Sequence, residues 1–289
     1  MTNVELNYEL LDFGAGRKLE RFGPWLLDRP APGADRPQSH VELWESATAN
    51  YTGNRTTEGT WKPTIKKWAE TSIEFPVKLA EGLEYRLLLS PLPSGQIGVF
   101  PEQLDNWQWI ARKVAKPQAA KVLNLFGYTG GSTLAAAVAG AEVTHVDAAK
   151  SMVARARENA ELSGLKDAPI RWIVEDAVKF CQREVKRGNT YDAVILDPPS
   201  YGHGPQGESW SIKRDLLPLL NLCRELTAGR PKFVLLTCHT PGMGAAELSA
   251  YLSDGLFGHC GQPPQSGTLY LKSSGGRKLA SGEFARWPG

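Results

Sequence analysis

Three aspartates, a cysteine and a glycine-rich turn are the residues of this chain best suited to chemistry. Asp147 closes the apolar run Ala141–Val146, Asp176 closes RWIVEDA near its end, and Asp197 closes Tyr191–Leu196 and opens Asp197-Pro198-Pro199-Ser200. Cys238 and His239 close a further run that begins at Lys232. Ahead of them all stands NLFGYTGG, Asn124 to Gly131, between an apolar run and a small-residue helical pattern. Glycines there permit positive φ and let a ligand approach the backbone. The following helix offers unpaired N–H groups. An acidic residue about 20 positions after such a turn is placed to grip a ribose diol. Each carboxylate has a plainer use as a helix cap. Asp197 and the Pro198 carbonyl, with φ held at about −65° by the ring, present two hydrogen-bond acceptors. Cys238 could attack carbon as a thiolate or simply pack at a strand end.

These residues need a scaffold that brings strand ends together. The pattern from Lys121 predicts strands at about 121–126, 142–147, 170–175, 191–197 and 232–238. Helices are expected near 130–139, 149–163, 176–187 and 211–228, with a further one over 102–116 ended by Pro117. Alternating β and α with continuous apolar strands implies a parallel sheet covered on both faces. Such sheets bind ligands at the carboxyl ends of their strands, where all the residues above lie. Ser200 to Ser209 has little to pack and reads as a mobile loop beside that edge. Residues 1–40 read as an irregular Gly/Pro-rich arm, and 41–92 as a small antiparallel sheet. Trp44, Tyr51, Trp61 and Trp68 in that stretch are either its core or a stacking platform for bases. The break falls near residue 95, giving an expected first domain of 1–95 and a second of 96–289.

Composition narrows the function classes. The chain has 289 residues, a formal net charge of +2 and four cysteines without CxxC spacing. Neither the cysteines nor the histidines suggest a metal site, and Cys260 beside His259 does not make one. No apolar run approaches the ~20 residues that cross a bilayer. The start, MTNVELNYEL, does not read as a secretory signal, so a cytoplasmic location is expected.

NLFGYTGG, HVDAAK, VEDA and DPPS together resemble the class I S-adenosylmethionine-dependent methyltransferases. More narrowly they resemble bacterial 23S rRNA enzymes that make 5-methylcytosine or N2-methylguanine. The likeness runs from about Gly98 to the C-terminus and includes GVFPEQ (98–103) and GRKLASGEFARW. It implies an α/β fold with a Rossmann-like, mostly parallel sheet whose last strand is antiparallel; the composition ahead of it adds a small N-terminal, mainly β domain. The likeness implies S-adenosyl-L-methionine as cofactor, with Asp147 on the ribose, Asp176 on the adenine amine and backbone N–H groups at Ala148 and Ala177 near the ring. Asn124, Phe126, Gly127, Tyr128, Thr129 and Gly130 would line the methionine part, Phe100 and Gln103 would cover the cofactor, and Asp197 would border it. RNA is the implied partner. Two chemistries stay open: amine methylation through Asp197 and Pro198, or attack on a cytosine by Cys238, which stands in Thr-Cys-His where 5-methylcytosine relatives have Thr-Cys-Ser. Other readings are a methyltransferase for protein or a small molecule, an NAD(P)-dependent oxidoreductase, and a non-catalytic RNA-binding module.

Overall fold

The computed structural model describes residues 8–53, 59–63, 72–114, 119–258 and 261–289. The chain forms two units, Met1–Leu104 with Tyr270–Ser281, and Asp105–Leu269 with Gly282–Gly289. The break expected near residue 95 thus lies inside the first unit, and 270–281 is grouped with that unit rather than with the second.

The first unit corrects the expectation of an irregular arm. Strands β1 (Tyr8–Gly14), β2 (Arg17–Phe22) and β3 (Trp25–Pro30) form an antiparallel meander. Part of the Gly/Pro content belongs to its two tight turns, and more of it, Pro32 to Pro37, lies in the irregular stretch 31–40 after β3. Ala15 and Gly16 both have positive φ, 52° and 75°, as a type I′ turn requires. Gly23, at φ 54°, precedes Pro24 in the second turn, the type II′ position for glycine. A short helix α1 (Val41–Trp44) leads to β4 (Ala49–Tyr51), parallel to β3, and β5 (Trp61–Pro63), antiparallel to β4. Strands β6 (Ile73–Ala80) and β7 (Leu83–Leu89) make a separate hairpin. The aromatics of this stretch are engaged inside the unit. Tyr51 is buried edge-on to Trp61, and the Trp44 indole donates to Asp12. Trp68 and Pro117, like His259 and Cys260, lie outside the described residues.

Helix α2 (Leu104–Val114) follows a 3₁₀ turn at Pro101–Gln103. The second unit then alternates as expected: β8 (Lys121–Leu125), α3 (Gly131–Val138), β9 (Glu142–Asp147), α4 (Lys150–Leu162), β10 (Ile170–Val174), α5 (Ala177–Lys186) and β11 (Ala193–Leu196). A short hairpin, β12 (Tyr201–His203) and β13 (Ser209–Ser211), occupies the segment expected to be a mobile loop. Helix α6 (Ile212–Leu226), β14 (Phe233–Cys238), α7 (Ala245–Tyr251), β15 (Gln265–Lys272) and β16 (Lys278–Trp287) complete the chain. The seven-stranded sheet has the order β10-β9-β8-β11-β14-β16-β15. Its first five strands are parallel, and β16 runs antiparallel to β14. The chain steps outward from β8 to β10, then returns to β11 on the other side. That reversal between β8 and β11 is the switch point at which ligands bind such sheets. Strands β11 and β14 are buried throughout, as strands covered on both faces must be. Helix α6 packs against them with Ile212, Leu216, Leu219, Leu220, Cys223 and Leu226, one helical stripe.

Candidate active site at the carboxyl edge of the sheet

The turn after β8 is unusually constrained. Phe126 and Tyr128 have positive φ, 57° and 49°, and Gly130 follows at 92°. Left-handed non-glycine residues cost on the order of 1–3 kcal/mol each, so the surroundings must hold them. They do so by hydrogen bonds from the turn to β9 and α4. Gly127 N donates to Val146 O at 3.0 Å, Tyr128 N to Asp147 Oδ2 at 2.8 Å, and Asn159 Nδ2 to Thr129 O at 2.9 Å. Glycine is needed at 127 because a Cβ there would lie 2.4 Å from His145 Cε1.

Beneath the turn lies a polar chain that the sequence reading missed. Asn124 Nδ2 donates to Thr133 Oγ1 at 2.8 Å, and Thr133 Oγ1 lies 2.8 Å from His145 Nδ1. All three residues are buried. Burial lowers the His145 pKa to about 3, so the ring is neutral. Thr133 Oγ1 links the Asn124 amide to Nδ1, and Nε2 has no hydrogen-bond partner among the described residues. Asn124, expected to face a ligand, instead directs its amide inward. A histidine inside the apolar run VTHVD, two residues before its end, was the available signal.

The strand-end aspartates are held at neighbouring positions. Asp147 pairs in register with Val174, two residues before Asp176. Asp147 Oδ2 accepts from Tyr128 N and Oδ1 from Ala149 N, both at 2.8 Å. Burial raises its pKa against those two bonds. Asp176 caps α5, accepting from Lys179 N at 2.9 Å. Ala148 is half-buried and Ala177 is buried as the first residue of α5. Phe100 and Gln103 belong to the first unit, where Gln103 N donates to Phe100 O at 3.0 Å.

Asp197 follows Leu196, which pairs with Leu125 on one side and Leu236 on the other. Its Oδ1 accepts from Thr237 Oγ1 at 2.6 Å, and His239 Nε2 stands 3.8 Å away. Pro198 is buried and Pro199 exposed. The Pro199 carbonyl accepts from Trp210 Nε1 at 2.7 Å, and the Trp210 ring lies 4.9 Å from that of Phe126. The hairpin therefore ties the Asp197 loop to the glycine turn. Cys238 is turned the other way. Successive residues of a strand face opposite sides, so Thr237 reaches Asp197 while the Cys238 side chain enters the core, 1% exposed. Its Sγ accepts from Thr240 N at 3.3 Å and lies 4.0 Å from Met243 Sδ. Burial pushes the thiol pKa up, opposite to the shift that makes a nucleophilic thiolate.

Residues 68–248 match the profile of the S-adenosylmethionine-dependent methyltransferases. The chain belongs to this family. The methyltransferase is 36% identical to the SAM-dependent methyltransferase of Agrobacterium tumefaciens, with a TM-score of 0.91 over 99% of this chain and 91% of that one. It is 32% identical over 148 residues to ribosomal RNA large subunit methyltransferase I of Aeromonas hydrophila, covering 51% of this chain and 36% of the relative. It is 32% identical over 115 residues to ribosomal RNA large subunit methyltransferase K/L of Shewanella frigidimarina, covering 38% and 16%. The chain thus spans about a third or less of the length of these two relatives.

The donor set of the methyltransferase fits the family's cofactor, S-adenosylmethionine. Two carboxylates at adjacent strand ends can only accept when ionised, and a ribose diol and an adenine amine are donors. Each keeps lone pairs beyond the backbone bonds above. A sulfonium is favoured near carboxylate and carbonyl oxygens. Among the described residues no group of three His, Cys, Asp or Glu side chains gathers that could hold a metal ion, and no helix is long and apolar enough to cross a membrane.

Proposed function

We propose that this protein methylates an exocyclic amine of a base in RNA, ribosomal RNA first, and works in the cytoplasm. The observation that carries the choice of chemistry is the opposite facing of two consecutive residues. Thr237 fixes Asp197 at the sheet edge, whereas the Cys238 thiol is buried in the core with its pKa raised. The acceptor class is supported by likeness to relatives named as ribosomal RNA large subunit methyltransferases.

In this reading Asp147 accepts from the ribose and Asp176 from the adenine amine, while the turn from Phe126 to Gly130 bounds the methionine part. Ala148 and Ala177 supply backbone near the ring. S-adenosylmethionine, when bound, supplies an activated methyl group. The protein's own contribution is placement. Thr237 engages Oδ1 of Asp197, and Oδ2 takes no hydrogen bond from any described residue. Oδ2 and the Pro198 carbonyl are then the two acceptors that hold an amine by its protons and aim its lone pair. A base buried in a duplex is out of reach, so the substrate is single-stranded or flipped.

A direct test is transfer of labelled methyl groups from S-adenosylmethionine into total RNA, DNA and protein. Label is expected in RNA. Label confined to protein or DNA contradicts the assignment.

A further inference from the structure

Among the described residues His239 is the one imidazole beside Asp197, and its position does not suit activation of Cys238. The cysteine side chain enters the core, while His239 Nε2 stands 3.8 Å from Asp197 Oδ1, the oxygen that also accepts from Thr237. Room for the ring is built into the opposite strand. Gly282 on β16 has φ 128°, and a Cβ there would lie 2.7 Å from both Cε1 and Nδ1 of His239. Only glycine combines that backbone with that contact. The ring is partly exposed, 30% of its side-chain surface, so it can exchange a proton with water.

Other charged groups stand on the elements around it, beside the Asp197 approach. On β16, Glu283 has both oxygens within 3.1 Å of Thr268 Oγ1. On α7, Glu247 adds, after burial and Asp197, to the upward shift of the Cys238 thiol. On its own strand, Cys238 faces the core.

We propose that His239 is a positioning and proton-accepting residue that acts through Asp197 in amine methylation. The inference rests on the function proposed above. The amine lone pair forms the new N–C bond as the C–S bond breaks, and that electron pair stays on sulfur, which becomes a neutral thioether. The nitrogen then carries one proton too many. Oδ2 of Asp197 takes that proton, a turn of the carboxyl carries it to the His239 side, Nε2 accepts it, and the imidazolium passes it to water. Carboxylates in general hold protons weakly at neutral pH, whereas imidazoles titrate near it and are the better store.

The experiment combines kinetics with a spectroscopic readout on the protein alone. Wild-type protein, His239→Gln and His239→Ala are assayed on RNA, with S-adenosylhomocysteine affinity measured by calorimetry. The expected result is a fall in kcat of at least about tenfold for both variants, with KM and cofactor affinity little changed. Free imidazole should restore kcat of His239→Ala in a saturable way, which a structural role would not show. In the protein without cofactor, Asp197→Asn should move the side-chain ¹⁵N resonances of His239. Wild-type kcat in His239→Gln, absence of imidazole rescue, or unmoved ¹⁵N resonances overturns the proposal. If the wild-type protein makes no methylated amine, the underlying function falls and the role of His239 with it. If it does make one and His239→Gln matches it, only the role of His239 falls.

Discussion

At the residue scale, the aspartates were legible because each one ends an apolar run, and a polar residue at that place has few other positions to occupy. The orientation of Cys238 was not. Period-two alternation says that Thr237 and Cys238 face opposite sides, but which side meets α6 and which meets Asp197 depends on packing across the sheet. The Asn124–Thr133–His145 chain was hidden for a similar reason, since its members lie on three different elements. Two predictions belong here. Asp147→Ala removes a carboxylate that accepts from Tyr128 N and, in the proposed site, from the ribose. S-adenosylhomocysteine affinity should fall by about 1.5–3 kcal/mol, measured by calorimetry, and an unchanged affinity would exclude that role. His145 gives a pH signature. Its folded pKa is depressed to about 3 by burial, while an unfolded imidazole titrates near 6.5. Between those values the unfolded chain binds the proton and the folded one does not. Stability is therefore fully present above about pH 6.5 and declines as pH falls toward 3, by up to about 1.4 kcal/mol per unit. Urea unfolding at pH 7 and pH 4.5 should show a smaller difference for His145→Gln than for the wild type. Equal differences would mean that the ring is not held neutral.

At the scale of elements, the β/α alternation from Lys121 was readable almost strand by strand, because fully buried parallel strands leave uninterrupted apolar runs. The meander β1–β3 was not, since the Ala15-Gly16 and Gly23-Pro24 turns look like loop composition until their positive φ values identify hairpin turns. The hairpin β12–β13 was missed because its anchor is one residue, Trp210, whose partners Pro199 and Phe126 lie outside the segment. Trp210→Phe keeps a ring against Phe126 and removes the bond to the Pro199 carbonyl. It should cost about 0.5–1.5 kcal/mol in urea unfolding. Methyl transfer should fall more than cofactor affinity does, because the loop carrying Asp197 is loosened. Equal loss in both would place the effect in the glycine turn instead.

At the scale of the whole molecule, the switch point between β8 and β11 sets one edge of the sheet apart. The turn, the strand-end aspartates and the Asp197 loop all lie on it. The resemblance carried by NLFGYTGG, HVDAAK, VEDA and DPPS led to the right family and fold, because those motifs are the strand ends themselves. Sequence could not choose between two chemistries that share that edge, since the choice turns on which side of β14 faces it. The most direct test is mass spectrometry of nucleosides from RNA methylated by the wild type, Cys238→Ala and Asp197→Ala. The proposed chemistry predicts an N-methylated nucleoside from the wild type and from Cys238→Ala, and its loss in Asp197→Ala with cofactor binding retained. A 5-methylcytidine product that disappears in Cys238→Ala and persists in Asp197→Ala would contradict it.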